Sequence, residues 1–198
     1  VRTSFSEVNS MGYGISDNLG KLDHLAMIDL VVPNFRSKDD ECLFGMFGLS
    51  VPSTIGGKVP KYAQDWIAAT LQKKLEAMDP SDTVADALRR AFLSVNRDCF
   101  DELMLEDHRR KNSSTASFSQ TMNQNQLNAF NQSFRGGASG GVVYVSGKTV
   151  HIANAGRVLS VVSCGGEAEL LSQLHDPLER EETMRIRAPA RDGCLNED

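Results

Sequence analysis

Histidines and cysteines could carry acid–base, nucleophilic or metal chemistry, but the eight of this chain lie far apart in the sequence. A zinc site is usually built from ligand pairs a few residues apart, and the chain contains no C-x-x-C or H-E-x-x-H motif. His175 and Asp176 follow Ser172, but adjacent side chains diverge, and chain order alone does not indicate a catalytic triad. The sequence therefore predicts no metal site and no triad. The residues considered are His24, His108, His151, His175, Cys42, Cys99, Cys164 and Cys194.

Glycines and carboxylates offer two further kinds of chemistry. The run at 136–141 (GGASGG) has the composition of a phosphate-binding loop, but such loops open helices, and this run precedes a β pattern. Tight packing at a loop-to-strand junction is the favoured interpretation, with a phosphate cradle as the alternative. A two-metal hydrolase needs several Asp or Glu oxygens converging at strand ends. The predicted strand ends carry Gly48-Leu49-Ser50 and Gly156-Arg157, so spacing alone indicates no active site.

Composition limits the classes of protein to which the chain can belong. It has 198 residues, of which 40% are apolar and 24% charged, values typical of a globular domain. A net charge of −5 argues against a nucleic-acid-binding domain. Dispersed cysteines are expected to be free thiols in a reducing, cytoplasmic compartment. The first residue is Val1, and we expect a piece of a longer protein.

The first half of the chain predicts two strands followed by two helices. Residues 24–32 (HLAMIDLVV) and 43–49 (LFGMFGL) are short apolar runs of strand length. Over 58–78 and 82–103, apolar residues recur every three or four positions, which predicts amphipathic helices. The short connection contains a proline, and Ser81 is the candidate N-cap of the second helix. Such a connection predicts an antiparallel helix pair.

The second half has a β pattern. Segments 142–145 and 149–152 flank a hairpin turn, and 158–162 and 168–171 continue an antiparallel meander. Residues 177–187 predict a short charged helix. The order of strands, helices and strands indicates an α+β fold.

A single domain over 1–198 is expected, interrupted by an insertion at 107–136. This stretch opens on a charge cluster and is then dominated by Ser, Thr, Asn and Gln, so it buries too little to offset its ordering entropy. The core is predicted to form where the helix pair meets the sheet. Its expected members are Trp66, Leu71, Leu75, Leu88, Phe92 and Val95 on the helices, with Val143, Val145, Val150 and Ile152 on the sheet.

Several segments, in order, resemble motifs of the metal-dependent PPM-type Ser/Thr protein phosphatases. That family shows G-x-R-x-x-x-E-D, F-x-V-x-D-G-H-G-G, G-S-T-A, A-N-x-G-D-S-R, L-S-x-D-H-x-P and E-x-x-R-I. The resemblance implies an αββα sandwich of two antiparallel sheets flanked by helices, incomplete at the C-terminal end of this chain. The matching segments are 20–26, 44–50 (FGMFGLS), 137–140 (GASG), 153–157 (ANAGR), 171–177 (LSQLHDP) and 182–186 (ETMRI).

The departures from the family pattern fall on its chemistry. The resemblance therefore implies that no Mg²⁺ or Mn²⁺ pair is held, that the chain has no cofactor of its own, and that it is a pseudophosphatase. A shift of the alignment by two residues would bring Asp23 near the site but leave a single acid. The altered positions are Lys21 for the phosphate-binding Arg, Leu25 and Ala26 for the Glu-Asp pair, Gly48, Leu49 and Ser50 for Asp-Gly-His, and Arg157 for the later Asp.

A narrower resemblance is to the phosphatase-like domain of fungal adenylate cyclases. It rests on 11–21 (MGYGISDNLGK), 29–36 (DLVVPNFR), 137–154 (GASGGVVYVSGKTVHIAN) and 174–187 (LHDPLEREETMRIR). In that family the domain lies between leucine-rich repeats and a cyclase domain, in a peripheral membrane protein controlled by Ras-type GTPases. The resemblance implies a regulatory or scaffolding role, with these domains and possible second copies as partners. Synthesis of cAMP, with its Mg²⁺, would belong to the cyclase domain elsewhere.

Two alternatives are left open. One is a free-standing pseudophosphatase adaptor, and the other is an active phosphatase that uses unusual metal ligands. The chain is also shorter than members of the phosphatase family usually are, so an incomplete sheet with an exposed strand edge is expected.

Overall fold

The fold was analysed in a computed structural model that describes residues 2–8, 11–17, 27–49, 58–111 and 137–188. The strands are β1 (Arg2–Val8), β2 (Met11–Asp17), β3 (Met27–Val32), β4 (Glu41–Leu49), β5 (Ala138–Ser146), β6 (Thr149–Ala155), β7 (Val161–Cys164) and β8 (Glu167–Leu170). The helices are α1 (Val59–Glu76), α2 (Val84–Lys111) and α3 (Arg180–Arg187), with a 3-10 turn at Phe35–Ser37. This order agrees with the predicted α+β layout.

A four-stranded antiparallel sheet, ordered β3-β4-β5-β6, is the centre of the fold. In its middle, Gly45 of β4 pairs with Leu30 of β3 on one side and Val142 of β5 on the other. The predicted hairpin between β5 and β6 is confirmed. Its turn contains Gly147 at φ 58°, a left-handed conformation that favours glycine.

The two long helices lie antiparallel on one face of this sheet. Lys58, just before α1, forms an ion pair with Glu106 near the end of α2, with 2.5 Å between Nζ and Oε1. The N-cap of α2 is Thr83 and not Ser81. The Thr83 hydroxyl accepts a bond from the Asp86 backbone N–H, and the Asp86 carboxylate accepts one from the Thr83 N–H in return. This reciprocal pair satisfies two backbone donors, which Ser81 would not reach.

The core forms between the helix pair and the sheet, as predicted, but three parts of its predicted membership are wrong. Val150 on β6 is 52% exposed. Trp66 is 51% exposed, because it lies on the outer side of α1. On β5 the buried residues are Val142 and Tyr144, one position out of phase with the predicted Val143 and Val145. A shift of one residue moves every side chain of a strand to the other face, and this strand is apolar on both faces. The buried core comprises Phe35, Leu43, Phe47, Ile67, Leu71, Leu75, Ala87, Leu88, Ala91, Val95, Val142 and Tyr144.

A buried ion pair attaches the 3-10 turn to this core. Arg36, at φ 57°, donates to both oxygens of Glu41 at 2.7 and 2.6 Å and to the Tyr144 hydroxyl at 3.1 Å. Burial alone would raise the pKa of Glu41, but the bonds from Arg36 and Lys38 outweigh it and lower the pKa to about 2. The left-handed conformation of Arg36 is therefore held by charge-assisted bonds at the start of β4.

The opposite face of the sheet carries a second layer. β1 and β2 form an antiparallel hairpin, and the Tyr13 ring on β2 lies 5.6 Å from the Phe44 ring on β4. Phe44 alternates with the buried Leu43, so it points away from the helices. Helices and antiparallel strands are thus layered on the two faces of one sheet.

Several predicted boundaries differ from the structure. α2 continues to Lys111, so residues 107–111 are helical and not part of an insertion, and 112–136 lie outside the described residues. The meander stops after β6: β7 and β8 form a separate two-stranded sheet, and β7 starts at Val161, not at residue 158. The reason is Gly156, whose φ of 75° turns the chain out of the sheet after β6.

The phase of β5 and β6 can be tested with a matched pair of variants. Val142 is 1% exposed and Val150 is 52% exposed. Replacement of Val142 by Ala should lower the free energy of unfolding by about 2 kcal/mol, because it removes two buried methyl groups. Val150→Ala should cost less than about 1 kcal/mol. Urea unfolding of both variants measures the difference, and a larger loss for Val150→Ala would contradict the assigned core face.

Candidate functional site

One end of the central sheet brings four chain segments together. Gly48, near the end of β4, pairs with Met27 at the start of β3 and with Ser139 near the start of β5. Gly140 pairs with Ala155, so the turn after β6 emerges at the same end. Of the altered positions identified from the sequence, Gly48, Leu49 and Arg157 are brought to this end. Lys21, Leu25, Ala26 and Ser50 lie outside the described residues.

The turn at Gly156 positions Arg157 against β5. A Cβ atom on Gly156 would lie 2.5 Å from the Ser139 hydroxyl oxygen, so both the left-handed φ and the close approach require glycine. The backbone N–H of Arg157 donates to that hydroxyl oxygen at 3.1 Å. Ser139 therefore connects Arg157 with the strand pair that contains Gly48.

Within the glycine-rich run, Gly140 and Gly141 pack closely. A Cβ atom on Gly140 would lie 2.6 Å from the Phe47 ring and one on Gly141 would lie 2.9 Å from Val158, in agreement with the favoured interpretation of tight packing.

The Arg157 guanidinium pairs with a buried carboxylate. Its Nε lies 3.0 Å from Oδ2 of Asp176; the side chain of Asp176 is 10% exposed and that of Arg157 is 73% exposed. The other Asp176 oxygen accepts a bond from the Leu178 N–H at 3.0 Å. A buried carboxylate with both a cation and a backbone donor is well satisfied, so this pair joins the turn after β6 to the segment that precedes α3.

Backbone bonds hold the same segment against β6. The His175 N–H donates to the Gly156 carbonyl at 3.2 Å. The Asn154 amide donates to the carbonyls of Val158 and Gln173 at 3.0 and 2.7 Å. Asn154 thereby closes the turn on one side and fixes the returning chain on the other.

A second charged cluster fixes α3. Arg185 donates to both oxygens of Glu182, with 2.8 Å between Nε and Oε2, and His175 Nδ1 lies 3.3 Å from the same Oε2. The bonds from Arg185 lower the pKa of Glu182 to about 2, more than burial raises it. His175 thus contacts Glu182, whereas the Ser172 hydroxyl accepts a bond from the Ser160 N–H at 2.8 Å. His175 and Ser172 are thus bonded to different groups.

Asp176 and Glu182, the buried acids of this region, are bonded to cations or backbone donors. Within the described ranges, no group of three or more His, Cys, Asp and Glu side chains is arranged to hold a metal ion. Sequence reasoning did not assign Ser139 and Asp176 to the site. Asp176 lies in the segment 171–177 that resembles a family motif, but an ion pair to a residue 19 positions earlier has no local signal.

Comparison with known proteins defines the family. The family model described as "Protein phosphatase 2C" matches residues 28–191. The chain is 39% identical over 200 residues to an adenylate cyclase of Mycosarcoma maydis, covering 95% of this chain and 8% of that protein. It is 34% identical over 210 residues to an adenylate cyclase of Podospora anserina, covering 100% of this chain and 9% of that protein. The chain therefore spans about a tenth of the length of these curated relatives.

Solved structures agree on the fold. A serine-threonine phosphatase 2C from Toxoplasma gondii superposes with a TM-score of 0.58 at 15% identity, over 93% of this chain and 58% of that one. A C. elegans sex determining protein gives a TM-score of 0.58 at 16% identity, over 94% and 37%. Identity at this level shows the fold alone. Among the described helices, none is long and apolar enough to cross a membrane.

The layered antiparallel sheets and helices, the solved structures of like fold and the match over residues 28–191 lead to one conclusion: the chain belongs to the protein phosphatase 2C family, and fungal adenylate cyclases are among its homologues.

Proposed function

We propose that this chain is a non-catalytic phosphatase-like domain with a regulatory or scaffolding role in a fungal adenylate cyclase. The observation that carries the proposal is the set of side chains at the end of the central sheet. The phosphatase scaffold is present there, but β4 ends on Gly48-Leu49 and the turn after β6 presents Arg157.

The metal pair implied by the phosphatase family does not fit these residues. Two divalent ions and a bridging water need several carboxylates, because each ion takes about six oxygen ligands. By the resemblance, Leu25, Ala26, Gly48 and Arg157 replace the carboxylates of the family. None of them offers an oxygen ligand from its side chain, and the guanidinium would repel a cation. Without the ions, no activated water is available for phosphate hydrolysis.

The ion pair of Arg157 with Asp176 supports a structural role for the altered site. In a metal site, cations hold the loops at the strand ends together. Here Arg157 is anchored to Ser139 through its backbone and to Asp176 through its side chain, at 3.1 and 3.0 Å. The guanidinium thus supplies a fixed positive charge where the family would use metal ions, and the loops keep their arrangement without a ligand.

The role in a larger protein rests on the relatives. Homology to adenylate cyclases extends over 94–100% of this chain, so the same domain is built into those much longer proteins. We infer that the parent protein makes cAMP from ATP, is controlled by a Ras-type GTPase and associates peripherally with the membrane from the cytoplasm. This domain would then hold or orient the leucine-rich repeats and the cyclase domain, and the Mg²⁺ would be bound by the latter. A free-standing pseudophosphatase adaptor is the alternative. It would be favoured if the neighbouring sequence encoded neither leucine-rich repeats nor a cyclase domain.

The absence of phosphatase activity is directly testable. Purified chain should hydrolyse p-nitrophenyl phosphate in millimolar Mn²⁺ no faster than a blank, because its strand ends lack the ligands that would activate water. The Toxoplasma gondii phosphatase 2C, which shares the fold, is the positive control. Turnover that rises with Mn²⁺ and is removed by a chelator would contradict the proposal.

The regulatory role can be tested in a relative. Replacement of the homologous segment of the Mycosarcoma maydis adenylate cyclase by this chain should preserve cAMP production and its response to activation, since the two segments are 39% identical. Deletion of the segment should alter one or the other. If the deletion leaves both unchanged in cell extracts, the domain has no regulatory or scaffolding role there.

A further inference from the structure

The side chain of Trp66 is the most unusual feature of the helix layer. It is the single tryptophan of the chain, and it is 51% exposed although Ile67 and Leu71 of the same helix are buried in the core. Its ring lies 6.1 Å from that of Tyr62, one turn earlier on α1, and Tyr62 packs against the core. A tryptophan supported by a second aromatic ring and open to solvent is typical of a protein interface, where Trp and Tyr supply much of the binding energy.

Three carboxylates of α2 border this aromatic pair. Asp98, Asp101 and Glu102 are exposed. Burial is the largest cause of the raised pKa of the Tyr62 phenol, and the negative charges of these three acids raise it further. The antiparallel packing of the helices gives the same placement. Lys58 contacts Glu106, so Tyr62, one turn after Lys58, lies beside the turn of α2 that contains Glu102. The carboxylates and the aromatic rings therefore share one seam between the helices.

The nearby cations neutralise only part of the seam. Lys58 pairs with Glu106, Lys61 pairs with Asp65, and Arg97 lies 3.4 Å from Asp98. Asp101 and Glu102 form no ion pair within the part of the chain that the structure describes. The surface around Trp66 thus combines an exposed aromatic ring with an excess of negative charge.

We propose that this outer seam of α1 and α2, formed by Tyr62, Trp66, Asp98, Asp101 and Glu102, binds a basic segment of a partner protein. An arginine is suited to it, because its planar cation stacks on an indole ring while its N–H groups bond to a carboxylate. This inference does not depend on whether the phosphatase-like site is active, since the seam lies on the outer side of the helices.

The negative charge of the seam argues against a second copy of the chain, nucleic acid or anionic lipid as its binding partner. A second copy bound through the same seam would place the acidic residues of two seams against one another, because a two-fold contact joins identical surfaces. Nucleic acid and anionic lipid would be repelled in the same way. A positively charged polypeptide is the partner class that both the aromatic and the acidic components attract.

The single tryptophan provides the reporter for the test. An acetylated and amidated peptide of alternating arginine and alanine is titrated into the full chain while Trp66 emission is recorded. A saturable change in emission that weakens with added salt is expected. A change without saturation, no change at all, or equal binding of a matched glutamine–alanine peptide would overturn the proposal.

Two double variants separate the seam from general charge attraction. Asp101→Asn with Glu102→Gln should weaken binding about tenfold, the effect of removing two exposed charge pairs. Glu167→Gln with Glu169→Gln removes two exposed acids on β8 and should leave binding unchanged. An equal loss of peptide affinity in both double variants would overturn the assignment to the seam. Trp66 emission that changes with protein concentration in the absence of peptide would also overturn it, because it would indicate that a second copy binds the seam. Circular dichroism confirms that each variant is folded.

Discussion

The position of β4 in the middle of the central sheet is the constraint on which the rest of this structure depends. Because β4 is bonded on both sides, its register fixes which residues of β3 and β5 stand beside Gly48. The same register sends Leu43 and Phe47 toward the helices and Phe44 toward the β1–β2 hairpin. The core, the second layer and the composition of the strand ends therefore follow from one set of backbone pairings.

At the strand ends of this sheet, the charges of Arg157 and Asp176 balance one another. The Gly156 turn can form only with glycine, and it delivers Arg157 to a buried Asp176. A single guanidinium needs only one carboxylate as its partner, whereas a metal pair would need ligands from several strands at once. The proposed loss of catalysis is thus compatible with preservation of the fold, because protein atoms connect the loops.

The sequence predicted those parts of the fold that depend on local patterns. The two amphipathic helices, the β5–β6 hairpin and the strands β3 and β4 were found because periodicity and turn residues are local signals. The phase of β5 was not predictable, since Val142, Val143, Tyr144 and Val145 are apolar on both faces and only tertiary packing selects one. The spacing of Trp66 fits the apolar face of α1, which predicts a core position. Periodicity alone does not show how much of that face is buried by the neighbouring elements.

For the site, the resemblance predicted which positions depart from the phosphatase pattern, and the structure places Gly48 and Arg157 at one end of the sheet. It could not indicate the partner of Arg157, since Asp176 lies in a distant loop. The most direct test of an emptied metal site is calorimetric titration of Mn²⁺ into the purified chain at neutral pH. The expected result is no saturable heat beyond dilution. Two tight, saturable Mn²⁺ sites would contradict the proposal that this phosphatase scaffold has lost its metal centre.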